Sequence, residues 1–204
     1  MLFRSDGDRL VLSDSTGNIF NGDDIIYTLA SRNKALGKDM SDSVVGTIMT
    51  NQGIGEALAE IDVGLLRTNV GDKYVSRELV KENLNVGGET SGHVIQREFS
   101  ESGDANIALI QTLTAFSDLD ATMTDIQKKI NYWPHKLQSY DVKNEVLLSS
   151  NEFNQKIDDL QKANTDARIS VRKSGTEAKL RVMVESPDKS KVDSLFTEIE
   201  NIIS

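Results

Sequence analysis

The chain of 204 residues contains no cysteine, two prolines and one tryptophan. Without cysteine there is neither a disulfide framework nor a thiolate metal site, a composition that suits the cytoplasm. No apolar run approaches the roughly 20 residues needed to span a bilayer, so no membrane association is expected. The polar stretch Arg4-Ser5-Asp6 likewise leaves no room for the apolar core of a signal peptide. Positive charge is also scarce. Against 32 acidic residues stand 23 Lys and Arg, a formal net charge of −9, which disfavours nonspecific binding to nucleic acid or anionic membranes. That deficit does not exclude a phosphorylated ligand, because a local cluster of Arg and Lys can outweigh the overall field. There is no internal repeat and no low-complexity segment.

What is present is ordinary for a globular protein, with 38% hydrophobic and 27% charged residues. Such a length can bury one large core or two modest ones. Arg9 to Ser13 reads as a short strand and residues 14–22 as turns. Ile25, Ile26, Leu29 and Ala30 recur at helical spacing, with Asp23 and Asp24 favouring the positive end of that helix. Val44 to Met49 is an apolar run of the kind buried on both faces of a sheet. A helix opening at Gly53, a strand over 63–67 and a helix over about 72–82 continue the alternation, which argues for a mostly parallel α/β layer. Leu109, Leu113 and Phe116 mark a long helix after Gly103-Asp104, and Met123, Ile126 and Ile130 a shorter one. At Tyr132-Trp133-Pro134 the proline ends the helical pattern, placing a domain boundary close to Asn131. Beyond it the order is strand, helix, strand, strand, helix. Ala167, Ile169 and Val171 alternate with Arg168, Ser170 and Arg172, and Leu180, Val182 and Val184 alternate with Arg181, Met183 and Glu185. Val192, Leu195, Phe196, Ile199 and Ile203 form the stripe of a terminal helix.

Four constellations carry chemistry. Asp6-Gly7-Asp8-Arg9 sets two carboxylates and a guanidinium on a glycine-hinged turn. Oxygen ligands of this kind suit Mg²⁺, which takes few carboxylates together with substrate phosphate, although Asp-Gly is also an ordinary hairpin turn. Arg172-Lys173-Ser174-Gly175-Thr176-Glu177, with Arg181 following, offers backbone amides, hydroxyls and two guanidinium groups that can converge on phosphate oxygens. Read alone, it is equally a polar hairpin loop. Gly87-Gly88-Glu89-Thr90-Ser91-Gly92-His93 folds tightly and presents Glu89 and Ser91, a carboxylate and a hydroxyl suited to two sugar hydroxyls, with His93 as donor, acceptor or proton carrier. Alone it reads as a glycine-rich surface loop. Lys73, in Val70-Gly71-Asp72-Lys73-Tyr74-Val75, is suited to phosphate or an acid–base step, or is simply solvated.

In order along the chain these pieces resemble the bacterial phosphoglucosamine mutase family of the α-D-phosphohexomutase superfamily, and specifically the C-terminal half of its members. The resemblance covers essentially the whole sequence. It includes the Gly22-Asp23 turn, Val44-Val45-Gly46-Thr47 and Arg181-Val182-Met183-Val184-Glu185 besides the four constellations. It implies an α/β fold in three parts. Residues 1–21 would be a remnant hairpin of the metal-loop domain (domain 2). Residues 22–130 would be a three-layer α/β sugar-binding domain (domain 3), and residues 131–204 a smaller α+β phosphate-binding domain (domain 4). It further implies interconversion of glucosamine 6-phosphate and glucosamine 1-phosphate, on the way to UDP-N-acetylglucosamine, through a phosphoserine and a bisphosphate intermediate with Mg²⁺. On that resemblance Glu89 and Ser91 grip sugar hydroxyls. Arg172, Ser174, Gly175, Thr176 and Arg181 hold the non-reacting phosphate. Arg9 sits beside the transferring phosphoryl group, Lys73 and His93 complete the surround, and Asp6 and Asp8 are metal ligands.

Three departures from the family pattern set further expectations. The family metal loop reads Asp-x-Asp-x-Asp-Arg, and Arg4 stands at the first ligand position, so Mg²⁺ binding is expected to be weak or absent. The family serine loop, roughly Thr-Ala-Ser-His-Asn-Pro, does not occur in these 204 residues. Ala178 stands where the family usually has proline. Without a phosphoryl donor the polypeptide alone is expected to be inactive. It would be half of a split mutase completed by a separate chain carrying the N-terminal half, or else a non-catalytic, truncated remnant that binds hexosamine phosphate. Residues 1–21, deprived of a parent sheet, are expected to be mobile or irregularly packed, with an exposed strand edge that invites self-association.

Overall fold

Val44 and Val45 are neighbours in the chain yet belong to different hydrophobic clusters. Successive side chains of a strand point to opposite faces, so the strand that carries them is covered on both sides. The structure, a computed structural model, describes residues 2–3, 6–38, 42–141, 150–174 and 179–203. It divides into two compact units, Met1–Asn131 and Tyr132–Ser204. Arg4, Ser5, Gly175, Thr176, Glu177 and Ala178, named above, lie outside the described residues.

The first unit runs β1 (Leu2–Phe3), β2 (Leu10–Ser13), β3 (Ile19–Phe20), α1 (Gly22–Leu36), β4 (Ser43–Thr47), α2 (Gln52–Ala59), β5 (Gly64–Thr68), α3 (Asp72–Lys81), β6 (Val86–Gly88), β7 (Val94–Gln96), α4 (Ala105–Asp118) and α5 (Met123–Gln127). Its main sheet has the order β5-β4-β6-β7. β4 runs parallel to both β5 and β6, as the helical crossovers α2 and α3 require. β7 returns antiparallel on β6. Val44, Val86 and Val94, with Leu65 against them, face the large cluster that holds Ile54 and Leu58 of α2, Ala105 and Ala108 of α4 and Ile126 of α5. Val45 and Ile95, with Leu66, face Val75 and Leu79 of α3. Helices therefore cover both faces, and the unit is a three-layer α/β structure.

Local chemistry sets the helix ends. Asn21 caps α1 by accepting from the Asp23 and Asp24 N–H groups, and Asp24 returns a carboxylate oxygen to the Asn21 N–H, a complete capping box. Gly37, at φ 60°, closes α1 in the left-handed conformation that glycine adopts freely. Asp104 caps α4 and Thr122 caps α5.

The expectation that residues 1–21 are mobile or irregularly packed is not met over the described residues 6–20. β2 is the centre of a three-stranded sheet, paired antiparallel with β1 and β3. Leu10, Leu12 and Phe20 are buried in the same cluster as α1 and α4. Phe20 meets Phe116 edge-on, with ring centroids 5.5 Å apart. The reason is the alternation of this stretch: Leu10 and Leu12 fall on one face, and the core of the first unit accepts them. A hairpin with an apolar face of its own needs no parent sheet to bury it.

The second unit runs β8 (His135–Asp141), α6 (Asn151–Ala163), β9 (Arg168–Lys173), β10 (Lys179–Glu185) and α7 (Lys189–Ile203), the order read from the sequence. Its antiparallel sheet is ordered β8-β10-β9. Leu180, Val182 and Val184 pack with Phe153 of α6 and Val192, Leu195, Phe196 and Ile199 of α7. The alternation on β10 predicted a polar opposite face, but Met183 and Glu185 are buried there too. β10 is the central strand, and Glu185 meets the cross-strand guanidinium of Arg168, its partner in register.

Because Leu10 is fully enclosed, Leu10→Ala is expected to destabilise the first unit by about 2–5 kcal/mol in urea unfolding. An unchanged midpoint would place the N-terminal hairpin outside the core.

Candidate functional site

In open α/β sheets, ligands collect outside the carboxyl ends of the strands, where helix N-termini also point. In the first unit that edge is formed by the ends of β4, β5 and β6, the starts of α2 and α3, and the turn between β6 and β7. The turn contains most of the glycine loop singled out in the sequence. Glu89 N–H donates to the His93 carbonyl and Gly92 N–H to the Glu89 carbonyl, both at 2.9 Å, making a tight hairpin.

Two flanking segments clamp this loop by backbone contact. On one side, Leu10 N–H donates to the Gly92 carbonyl at 3.0 Å, and Arg9 and His93 form an antiparallel bridge. On the other, Gly22 N–H donates to the Thr90 carbonyl at 3.2 Å. Glycine is required at both contacts. A Cβ on Gly22 would stand 2.0 Å from the Glu89 oxygen, and one on Gly92, which has φ +93°, would stand 2.1 Å from the Leu10 oxygen. Gly92→Ala is thus strained in both conformation and space.

The clamp brings the acidic turn to the loop. His93 Nε2 lies 3.8 Å from Asp8 Oδ2, and Arg9 Nε lies 4.0 Å from Asp8 Oδ1. The His93 ring is 5% exposed and leaves no room at Gly103, where a Cβ would lie 2.4 Å from Nε2. Asp8 Oδ1, Arg9 Nε and His93 Nδ1 are all buried without a hydrogen-bond partner. Three polar atoms in that state, on three residues that touch, are costly unless something else satisfies them. Asp6 is exposed on the same turn.

The other predicted residues of this unit divide. Glu89 is buried, and its Oε1 accepts from the Gly71 N–H at 2.9 Å. Ser91 is exposed, so the two loop residues are not presented alike. Lys73 is exposed and rests its Nζ 4.9 Å above the Tyr74 ring rather than on the loop. The start of α3 is nonetheless tied to the loop, through Gly71. Among the described residues no group of three or more His, Cys, Asp or Glu is arranged to hold a metal ion. Asp6 and Asp8 supply two carboxylates from one turn, which do not make a Mg²⁺ site by themselves.

In the second unit Arg172 and Arg181 are directly opposed in the β9–β10 register. Ser174 closes the strand ends by donating its N–H to the Lys179 carbonyl at 2.7 Å, and its hydroxyl is buried without a partner.

One residue escaped the sequence reading. Asp23 reads from sequence as a helix-dipole residue and as part of the Gly22-Asp23 turn, but it is 1% exposed and holds three segments together. Its Oδ1 accepts from the Thr90 hydroxyl at 3.0 Å and its Oδ2 from the Asn51 N–H at 3.1 Å. Burial pushes its carboxyl up to about 6, against the opposing pull of those hydrogen bonds. A signal was available. Asn21 and Asp24 already complete the capping box, leaving Asp23 as a carboxylate the helix end does not need.

The sequence matches the phosphoglucomutase/phosphomannomutase α/β/α domain III over residues 21–132 and the C-terminal domain of the same family over residues 134–202. The chain belongs to the phosphoglucomutase/phosphomannomutase family. It is similar to the phosphoglucosamine mutase of Thermosipho africanus, 36% identical over 203 residues that cover 100% of this chain and 46% of that protein. The phosphoglucosamine mutase of Bacillus velezensis is 34% identical, with 100% and 46% covered. The chain thus spans about half the length of the curated relatives it matches. Among solved structures the fold matches an N-acetylglucosamine-phosphate mutase of the α-D-phosphohexomutase superfamily in its product complex, with a TM-score of 0.81 at 20% identity, covering 99% of this chain and 48% of that one. It also matches Aspergillus fumigatus N-acetylphosphoglucosamine mutase in complex with GlcNAc-6P and magnesium, with a TM-score of 0.80 at 20% identity, covering 97% and 50%.

Asp23 makes stability depend on pH. A carboxyl whose folded pKa is raised stabilises the fold fully below its unfolded pKa and loses that contribution as pH rises through the folded value. Relative to Asp23→Asn, the parent chain is therefore expected to lose up to about 3 kcal/mol between roughly pH 4 and 6. Urea midpoints of both proteins across that range check this, and parallel curves would contradict it.

Proposed function

We propose that this chain supplies the sugar-binding and phosphate-binding part of a phosphoglucosamine mutase. The observation that carries the reading is the clamp of the Glu89–His93 loop onto Asp8-Arg9, which joins a sugar-recognition loop to a phosphoryl-handling turn. The similarity to phosphoglucosamine mutases over the whole chain supports the hexosamine branch.

On this reading Glu89 and Ser91 bind sugar hydroxyls, the first as a carboxylate already aligned by the Gly71 N–H. A pre-aligned acceptor loses less freedom on binding. Arg172 and Arg181, opposed across two strands, hold the phosphate that does not react, and the Ser174 hydroxyl adds a donor. Arg9 stands beside the phosphoryl group in transfer. His93 stands beside Asp8, with Nε2 3.8 Å from Oδ2. Lys73, at the exposed start of α3, adds positive charge to the rim. Asp6 and Asp8 alone hold Mg²⁺ weakly or not at all, and no step is assigned to the ion in this chain. The phosphoryl donor comes from polypeptide outside this sequence, in keeping with relatives about twice as long.

Calorimetry with glucosamine 6-phosphate tests the reading. The chain is expected to bind it. Arg172→Ala should weaken binding by about 2 kcal/mol, roughly 30-fold, and Glu89→Gln by about tenfold. Absence of binding by the unaltered chain would refute the proposal. Mutase turnover by this chain alone, with a bisphosphate primer and Mg²⁺, would refute the assignment of the donor to other polypeptide.

A further inference from the structure

Asp23 projects from the first turn of α1 away from the capping box. One carboxylate oxygen takes the Thr90 hydroxyl, in the middle of the loop, and the other takes the N–H of Asn51, the cap of α2. The Thr50 hydroxyl bonds to it as well. A buried carboxylate is costly unless its acceptor sites are filled, and here every donor comes from the turn between β4 and α2 or from the loop. Thr90 lies between Glu89 and Ser91, the two residues assigned to the sugar. The ties of the loop to Leu10 and Gly22 are backbone bonds, which any sequence of the same shape would make, and Glu89 reaches the Gly71 N–H. The Asp23–Thr90 bond is a side-chain tie with a chosen chemistry.

We propose that Asp23 is a positioning residue for sugar recognition: through the Thr90 hydroxyl it fixes the loop conformation in which Glu89 reaches the Gly71 N–H and Ser91 stays exposed. This rests on the reading of the loop as the sugar-binding element. Asp24 beside it on α1 adds a like charge that raises its proton affinity. The turn before α2 presents Thr50 and Asn51, and Arg67 bonds Gln52 Oε1 and the Thr50 carbonyl. The loop presents Thr90 and Glu89, whose carboxylate is turned to Gly71.

The hydrogen-bond geometry makes a set of variants discriminating. Asparagine at 23 keeps both ties, because its oxygen can accept from Asn51 while its amide donates to Thr90 Oγ1. The Thr90 hydrogen then turns to the Met49 carbonyl, 3.4 Å away. Asp23→Ala removes both ties. Thr90→Val removes the loop tie alone, without disturbing α1, and Thr90→Ser retains it.

Amide hydrogen exchange without ligand gives the primary test, read at Leu10, Gly22, Glu89 and Gly92. Thr90→Val and Asp23→Ala should lower protection at these amides by about tenfold or more, with the β4 amides unchanged. Thr90→Ser and, at about pH 5, Asp23→Asn should stay within about twofold of the parent. As pH rises to about 7 the parent's loop protection should fall relative to Asp23→Asn, because opening lets a strained carboxylate ionise in water. Full protection in Thr90→Val overturns the proposal, and so does an Asp23→Asn variant that behaves like Asp23→Ala. With glucosamine 6-phosphate, Thr90→Val should bind about tenfold more weakly and Thr90→Ser normally, and equal affinity in Thr90→Val also overturns it. If the parent binds no sugar phosphate, the sugar-binding reading fails, while the exchange data still decide whether Asp23 holds the loop.

Discussion

Backbone-to-backbone contact at two glycines is the constraint on which the candidate site depends. Gly22 and Gly92 have no side chains, and each stands where a Cβ would lie about 2 Å from a carbonyl oxygen. The β6–β7 turn can therefore lie between the start of α1 and the start of β2, bonded to both by main-chain hydrogen bonds. Everything chemical at this edge follows from that approach. It seats the Asp8-Arg9 turn against His93 and delivers Thr90 to Asp23. It also gives the N-terminal hairpin a fixed place, so that Leu10, Leu12 and Phe20 complete the core they share with α1 and α4. A single extra methyl at either glycine would push apart segments that are far apart in sequence.

Much of the fold was legible because it rests on periodicity. The run around Val44-Val45, the stripes of α1 and α7 and the alternation of β9 and β10 are patterns that local sequence expresses directly. The misses have a common cause. The alternation of β10 marks Met183 and Glu185 as outward, and only the sheet order, with β10 between β8 and β9, shows that they are covered. Irregular packing is the expectation for the N-terminal hairpin, although Leu10 and Leu12 already define an apolar face that the first unit buries. Neighbours across a sheet are not written in the strand that meets them.

The site was legible as residue types and far less as geometry. Asp8, Arg9, His93 and Glu89 stand out by motif, and the structure brings the first three into one cluster. Their states were not readable: Glu89 is buried on the Gly71 amide while Ser91 remains exposed, and Lys73 lies over its neighbouring tyrosine. Asp23 was visible but misassigned, because a first-turn aspartate has a sufficient local explanation in the helix dipole. Its partners in the turn before α2 and on the loop are tertiary neighbours that no helix rule predicts.

Unresolved polar tension then separates function from architecture in this molecule. Glu185 is as buried as Asp23, but a facing Arg168 balances it within the sheet, as a structural ion pair should. Elsewhere local rules are broken. Asp8, Arg9 and His93 leave three buried polar atoms without a hydrogen-bond partner, and Asp23 is held where burial opposes its charge. Folded sequences violate such rules mainly where a ligand or a reaction supplies the missing partner.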